Sequence, residues 1–236
     1  MARQDGRIYL CAPVNALVEG LYRMKIPFSE IVRHGDFGLG TFDELDGEMV
    51  MVDGEIYQIT SDGVAAKVLD SACTPFACVT FYKPLSSDRL DREVPYAAFQ
   101  NWLFNLLPSP NIFYAIRIEG RFSRMRVRSV PRQESYRPLA EVALNQPVFD
   151  YENIDGTIVG FYTPAFMGSV SVPGLHLHFL SSDRKLGGHL LECSPSGIEA
   201  GIQFIPTVEL GLPMNFGYLT CDFVRNVERD LENAEH

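Results

Sequence analysis

The chain has 236 residues, of which 46% are hydrophobic and 21% charged, and these are the proportions of an ordinary globular protein rather than a disordered or fibrous one. A chain of this length buries roughly 70% of the surface that it exposes when unfolded, so it can enclose a dry pocket. The 20 lysines and arginines against 30 aspartates and glutamates leave a net charge of −10. Because the acidic residues are spread along the chain, its surface is unsuited to following a phosphate backbone, and we expect no nucleic-acid partner.

The first apolar run, residues 8–18, does not predict a membrane span. Pro13 and Asn15 interrupt it, and it is too short to cross a bilayer. Asp5 and Gly6 precede it, which departs from the basic, apolar and small-residue order of a secretory signal. The five cysteines form no Cys-x-x-Cys pair, which argues against a disulfide framework and against a thiolate metal site. We therefore expect a cytoplasmic protein with reduced cysteines and no membrane partner.

A glycine-rich segment at residues 35–42 is followed by a predicted β-hairpin. An Asp-Gly pair at residues 53–54 separates two strand-like runs at 48–52 and 55–60, and both turn residues tolerate the positive φ angles of a two-residue hairpin. Since a hairpin rather than a helix follows the glycines, they do not form a dinucleotide-binding fingerprint. On alternation alone, Glu48 could simply be an exposed acid at the end of a strand.

A helix is predicted after Pro95, with Pro108 as its stop. Its apolar residues recur at the spacing of one buried face, so we expect it to lie on a sheet. This stripe consists of Phe99, Trp102, Leu103, Leu106 and Leu107. Shorter helices are predicted at residues 14–22, 29–32 and 139–144, and from Cys221 into the C-terminal tail.

The remaining segments predict a mainly β protein. Short runs rich in Val, Ile, Phe and Tyr are separated by Gly and Pro. The predicted fold class is α+β, mainly β, with two mixed or antiparallel sheet subdomains and a few flanking helices. We treat residues 1–236 as one unit and expect the Pro-rich stretch 131–138 to separate an N-terminal sheet with helices, 1–135, from a C-terminal metal-binding sheet and tail, 136–236. Further strands are predicted at 76–82, 112–119, 122–130, 157–162, 175–180, 189–193 and 201–210.

Three arginines alternate with apolar residues in the strand predicted at residues 122–130. Alternation places Arg124, Arg126 and Arg128 on one face. A guanidinium pairs bidentately with a carboxylate and stays charged at working pH, so such a row could bind an acidic substrate. For Arg124 and Arg126 a solvated sheet face is the favoured interpretation.

Three of the five histidines fall within fourteen residues of one another. His176 and His178 alternate on a predicted strand and therefore share a face. The loop at residues 181–186 is long enough to reverse the chain, and Gly187-Gly188 allows a close backbone approach before His189. Three imidazoles can form three corners of a tetrahedral zinc site whose fourth position stays open for water or substrate. The spacing therefore predicts a metal centre at His176, His178 and His189.

Taken together, these segments resemble the bacterial alpha-acetolactate decarboxylases over nearly the whole chain. The run Asn-Ile-Phe-Tyr-Ala-Ile-Arg at 111–117 is one example. Several such segments in one order are more specific than any single motif. The matching segments are 35–42 and 45–48 near the N-terminus, 111–117 and 128–131 in the middle, and 160–161, 176–179 and 187–189 in the metal-binding part.

The resemblance implies roles for individual residues. The three histidines become the zinc ligands, Glu48 and Arg128 become active-site residues, and Thr41 lies near the substrate. A glutamate of the C-terminal tail also reaches the site in the family. Glu235 matches it, because Asn233-Ala234-Glu235 resembles the family's Ala-Glu. The nearby Glu228 and Glu232 leave the choice within the tail open.

The implied reaction is the metal-dependent decarboxylation of (S)-2-acetolactate to (R)-acetoin and CO2 through a zinc-bound enediolate. Zinc, or another divalent ion, would act as a Lewis acid and as a template, so no organic cofactor is expected. Arg128 would face the substrate carboxylate, and Glu48 would handle the proton. The family is typically dimeric, which implies a homodimer.

Two alternatives stay open from the residues alone. One is a cupin-like metal oxygenase, in which a glutamate follows the second histidine by about four residues; here the nearest acid is Asp183, five residues on. The other is a non-catalytic β module with a structural metal, which would unfold when the metal is removed.

Overall fold

A computed structural model describes residues 6–69, 71–135, 137, 139–143 and 146–224. Within this part of the chain most ordered backbone is β-strand, as predicted. The strands are β1 (Arg7–Leu10), β2 (Ile26–Pro27), β3 (Phe37–Thr41), β4 (Glu48–Val52), β5 (Glu55–Ile59), β6 (Ala65–Lys67), β7 (Cys73–Thr74), β8 (Ala77–Thr80), β9 (Ser86–Leu90), β10 (Phe113–Arg128), β11 (Val148–Thr163), β12 (Gly174–Ser181), β13 (Gly187–Ile205) and β14 (Thr207–Leu210). The helices are α1 (Val14–Val18), α2 (Phe28–Ile31), α3 (Tyr96–Asn105), α4 (Leu139–Ala143) and α5 (Phe216–Thr220), with 3-10 turns at Asp43–Leu45 and Ala165–Met167.

Two large sheets organise these strands. The first has the order β14-β1-β8-β3-β4-β5-β6 and is antiparallel except where β1 pairs with β14. The second has the order β10-β11-β12-β13-β9, and β10 also pairs with β13 along most of its length. Strands β10 to β13 therefore form a closed ring of pairings. The α+β class with mixed and antiparallel sheets is confirmed.

The sheets do not follow the division expected at residue 135. Strands β9 and β10 precede that residue but belong to the second sheet, and β14 follows it but belongs to the first. Long-range pairing, which leaves no local signal in a sequence, decides this membership. The expected boundary therefore does not separate the two sheets.

Strand alternation distributes the apolar residues over three layers. The first core lies between the sheets and joins Leu39 and Val50 of the first sheet to Val159 and Phe161 of the second. A second core covers the other face of the second sheet beneath α3, and a third covers the outer face of the first sheet beneath α2. The candidate site lies in the layer between the sheets.

The predicted hairpin and the main predicted helix are both present. Asp53 and Gly54 have φ angles of 54° and 79°, the positive values that this tight turn needs. Helix α3 starts directly after Pro95 and buries Phe99 and Leu103 completely. It ends at Asn105 rather than at Pro108.

Strand boundaries and the C-terminal end differ from expectation. The two strands expected between residues 112 and 130 form the single strand β10, which continues through Gly120 because β11 and β13 pair with it on both sides. No helix begins at Cys221 within the described residues, which end at 224, and the rest of that predicted helix lies outside them. None of the described helices is long and apolar enough to cross a membrane.

Candidate metal centre

Strand β12 presents two histidines to the space between the sheets. His176 and His178 alternate with Leu177 and Phe179 along this strand. The two apolar residues pack into the core beneath α3, so the histidines point the other way, as strand parity predicts. Both imidazoles are buried.

The turn after β12 brings His189 beside them. In the register of β12 and β13, His178 lies directly opposite His189. The three ring centroids are 5.0, 5.1 and 5.3 Å apart, and one ligand atom from each ring lies within 4.8 Å of the other two. Gly188 has a φ angle of 149°, and a Cβ at this position would come within 2.5 Å of the Arg128 carbonyl oxygen. The close backbone approach expected at this glycine pair is therefore present.

The surroundings of His178 favour one tautomer. Its Nδ1 lies 2.9 Å from the carbonyl oxygen of Met49. Since a carbonyl only accepts, the ring proton sits on Nδ1, which leaves the lone pair of Nε2 available to a metal ion. This Nε2 is buried and has no hydrogen-bond partner among the described residues. Burial also holds the pKa of His178 well below its ordinary value, with a smaller contribution from His176.

These features fit a bound divalent ion. Three buried imidazoles converge on one point. The ring of His178 is oriented by a backbone carbonyl, which is a usual outer contact of a metal-binding histidine. The residues present can therefore hold a metal ion.

Glu48 of β4 faces the histidines from the other sheet. Its carboxylate oxygen Oε2 lies 3.5 Å from Nε2 of His178, and the side chain is buried. The interpretation as an exposed strand-end acid was therefore wrong. Thr41 of β3 lies opposite Glu48 in the strand register, and its hydroxyl donates a 2.7 Å hydrogen bond to the carbonyl of Gly47.

Arg128, the last residue of β10, completes the group from the second sheet. It lies opposite His189 in the register of β10 and β13 and is only 8% exposed. Arg124 of the same row is exposed and pairs with Asp150 at 3.2 Å, so the solvated interpretation holds for that residue. The strand therefore carries one buried arginine, and it lies next to the histidines.

One cavity contains all of these side chains. Its polar wall consists of the three histidines with Thr41, Glu48 and Arg128. The apolar part of the lining comes from α1, α4, the 3-10 turn at Asp43–Leu45 and loops beside the strands, with Val14, Leu17, Leu45, Phe76, Val130, Leu139 and Val172 as its members. Glu235, together with the alternatives Glu228 and Glu232, lies outside the described residues.

Comparison with known proteins decides the family. The family model described as Alpha-acetolactate decarboxylase matches residues 8–225. The chain belongs to the alpha-acetolactate decarboxylase family. The family's enzyme from Methanosarcina mazei is 40% identical over 97% of this chain and 80% of its own length. The crystal structure of the alpha-acetolactate decarboxylase from Bacillus subtilis strain 168 superposes with a TM-score of 0.94 at 36% identity, over 97% of this chain and 99% of that one.

Sequence reasoning missed two parts of this acetolactate decarboxylase site. The Met49 carbonyl that orients His178 is a backbone group, so the residue type at this position gives no indication of the contact. Gln146 also lines the cavity, and nothing in its local sequence distinguishes it from a surface glutamine. Membership of this family also decides against the cupin-like alternative.

Proposed function

We propose that this protein is a metal-dependent carboxy-lyase that converts (S)-2-acetolactate to (R)-acetoin and CO2. The observation that carries the proposal is the grouping of three buried histidines, one carboxylate and one guanidinium around a single cavity in a member of this family. Acetolactate carries a carboxylate, a hydroxyl and a ketone on adjacent carbons. The polar wall offers a complement to each of these groups.

The proposed metal is zinc, held by His176, His178 and His189. Neutral imidazoles suit zinc, and three protein ligands with an open fourth position are typical of catalytic rather than structural zinc sites. When bound, the ion supplies Lewis-acid stabilisation of the negative charge that the departing CO2 leaves on the substrate oxygens. No organic cofactor is needed for this chemistry.

Arg128 is the proposed partner of the substrate carboxylate. Its burial between the two sheets removes competing water, so a charge-assisted, bidentate pair there is stronger than at the surface. The guanidinium positions the carboxylate during binding and the developing anion during bond cleavage. This role agrees with its location beside His189 on the neighbouring strand.

Glu48 is the proposed proton donor to the reacting carbon after CO2 has left. It faces the cavity from one side only, since β4 belongs to the first sheet and the histidines belong to the second. A donor fixed on one side delivers the proton to one face of the planar enediolate, which yields one enantiomer of acetoin. Thr41, paired with Glu48 across the strand register, is the proposed substrate-binding neighbour.

The remaining features of the proposal rest on the family pattern. We place Glu235 of the tail at the site as a further catalytic residue and expect the protein to act as a homodimer. A cytoplasmic location stays a prediction.

Incubation with racemic acetolactate, with and without a chelator, tests the function directly. Chiral chromatography should detect (R)-acetoin from the enzyme and little product after metal removal, with activity restored by added zinc. Acetoin formation no faster than the uncatalysed background would overturn the proposal.

A further inference from the structure

The cavity contains a buried acceptor oxygen without a hydrogen-bond partner among the described residues. The side-chain oxygen Oε1 of Gln146 is buried and makes no hydrogen bond to any described residue. Gln146 lines the same cavity as Arg128 and the three histidines. A buried amide oxygen without a partner is destabilising, so such groups in native proteins usually serve a ligand or hold a water molecule.

Its position is determined by the pairing of two long strands. Arg128 lies opposite Val148 where β10 and β11 end, and Ser129 donates a 3.2 Å backbone hydrogen bond to the carbonyl of Pro147. Gln146 therefore directly precedes an anchored stretch of backbone next to Arg128. Its side chain lines the cavity, whose walls also include the apolar residues Val130 and Leu139.

We infer that Gln146 is a substrate-binding residue whose oxygen accepts the hydrogen bond of the substrate's tertiary hydroxyl group. The inference rests on the proposed function. An acceptor oxygen requires a donor, and ionised acetolactate has a single one, the hydroxyl on the carbon that carries the carboxylate. The carboxylate and the ketone only accept. With Arg128 on the carboxylate and Gln146 on the hydroxyl, two substituents of the stereogenic carbon are held, which orients the substrate before the carbon–carbon bond breaks.

The oxygen of Gln146 differs in its chemistry from Nε2 of His178, which has no hydrogen-bond partner in the described part of the chain either. Nε2 of His178 is an imidazole nitrogen that converges with two others, which suits a metal ion. Oε1 of Gln146 is a neutral amide oxygen, a weaker zinc ligand than imidazole or carboxylate, and it suits a hydroxyl donor. The metal site and the hydroxyl site are therefore adjacent but distinct parts of one cavity.

The test replaces Gln146 by methionine, which has a similar length but no strong acceptor. For Gln146→Met we expect a roughly tenfold lower kcat/KM for acetolactate, with unchanged zinc content and unchanged thermal unfolding temperature. Gln146→Ala, which removes the same oxygen without filling the space, should show at least as large a loss. The matched control is Gln133→Met, because Gln133 lines a separate surface pocket that shares no lining residue with this cavity, and it should leave kcat/KM unchanged.

A pair of stable ligands isolates the hydroxyl contact. The ligand 2-hydroxy-2-methylpropanoate carries the hydroxyl, and 2-methylpropanoate lacks it. Removal of the hydroxyl should weaken binding to the zinc-loaded wild type more than to zinc-loaded Gln146→Met. The loss of affinity caused by the ligand change and the loss caused by the substitution are then not additive. Additive losses, an unchanged kcat/KM in Gln146→Met, or a loss of zinc from that variant would each overturn the inference. Absence of acetolactate turnover by the wild type would instead overturn the proposed function.

Discussion

The imidazole of His178 and the carboxylate of Glu48 face each other across the space between the two sheets, with 3.5 Å between Nε2 and Oε2. The residue after Glu48 contacts the same imidazole from the other end, because the Met49 carbonyl lies 2.9 Å from Nδ1. Strand β4 therefore supplies both the acid that faces the ligand nitrogen and the backbone group that orients the ring. A shift of this strand would disturb the proton donor and the metal ligand together.

Replacement of Glu48 by glutamine should remove proton transfer but leave the metal ligands in place. The amide has nearly the same shape but cannot donate a carboxylic proton, so we expect turnover to fall about 100-fold or more. Zinc content, measured by elemental analysis, should stay at the wild-type level. Glu55→Gln, at an exposed position on the next strand, is the control. If Glu48→Gln kept the wild-type rate and stereochemistry, Glu48 would have no part in the mechanism.

Replacement of His178 by alanine should remove the metal as well as the activity. Only two of the three converging imidazoles remain, and the Met49 carbonyl loses the ring that it orients. We expect zinc content well below one ion per chain after dialysis and no detectable acetoin. His34→Ala changes a partly exposed histidine stacked on Tyr9, which belongs to the core on the outer face of the first sheet, and should retain both. Full zinc content in His178→Ala would contradict the ligand assignment.

Replacement of Arg128 by lysine tests whether the planar, two-donor geometry of the guanidinium matters separately from its charge. Lysine keeps the positive charge but cannot form two parallel hydrogen bonds to one carboxylate. We expect kcat/KM for acetolactate to fall about 10- to 100-fold, as for the loss of a buried charge-assisted hydrogen bond. Arg124→Lys, in the exposed part of the same strand, is the matched control. Equal kinetics for the two variants would argue that Arg128 acts only through its charge or through packing.

Acidification should destabilise the metal-free protein partly through His178. Burial holds the pKa of this group well below its ordinary value in the folded state, whereas in the unfolded chain the pKa is about 6.5. His178 therefore has no effect on the free energy of unfolding above that pH. As the pH falls below it, the protein loses stability, because the unfolded state binds the proton first. In the presence of a chelator, the thermal unfolding temperature of His178→Gln should fall less steeply with decreasing pH than that of the wild type.

His34→Gln serves as the comparison in the acid-unfolding experiment, since His34 is not enclosed between the sheets. The same pH dependence in the wild type and in His178→Gln would show that other groups account for the acid loss.

Local patterns in the sequence were sufficient for several parts of the site. Alternation on β12 predicted that His176 and His178 share a face, and the glycine pair before His189 predicted the close return of the chain. The positive φ angles of Asp53-Gly54 and the apolar stripe of α3 were also accessible, because each depends on residues within a few positions of one another. The roles of Glu48, Arg128 and Thr41 came from resemblance rather than from pattern.

The sequence by itself therefore determined which side chains can share a strand face and where the chain turns, since these follow from local backbone geometry. The tertiary structure alone decided that β9 and β10 join the second sheet, that Glu48 is buried against His178, and that Gln146 enters the cavity beside Arg128. Each of these depends on pairing and packing between segments distant in sequence. Such contacts are selected by the burial of whole sheet faces, which no short stretch of residues encodes.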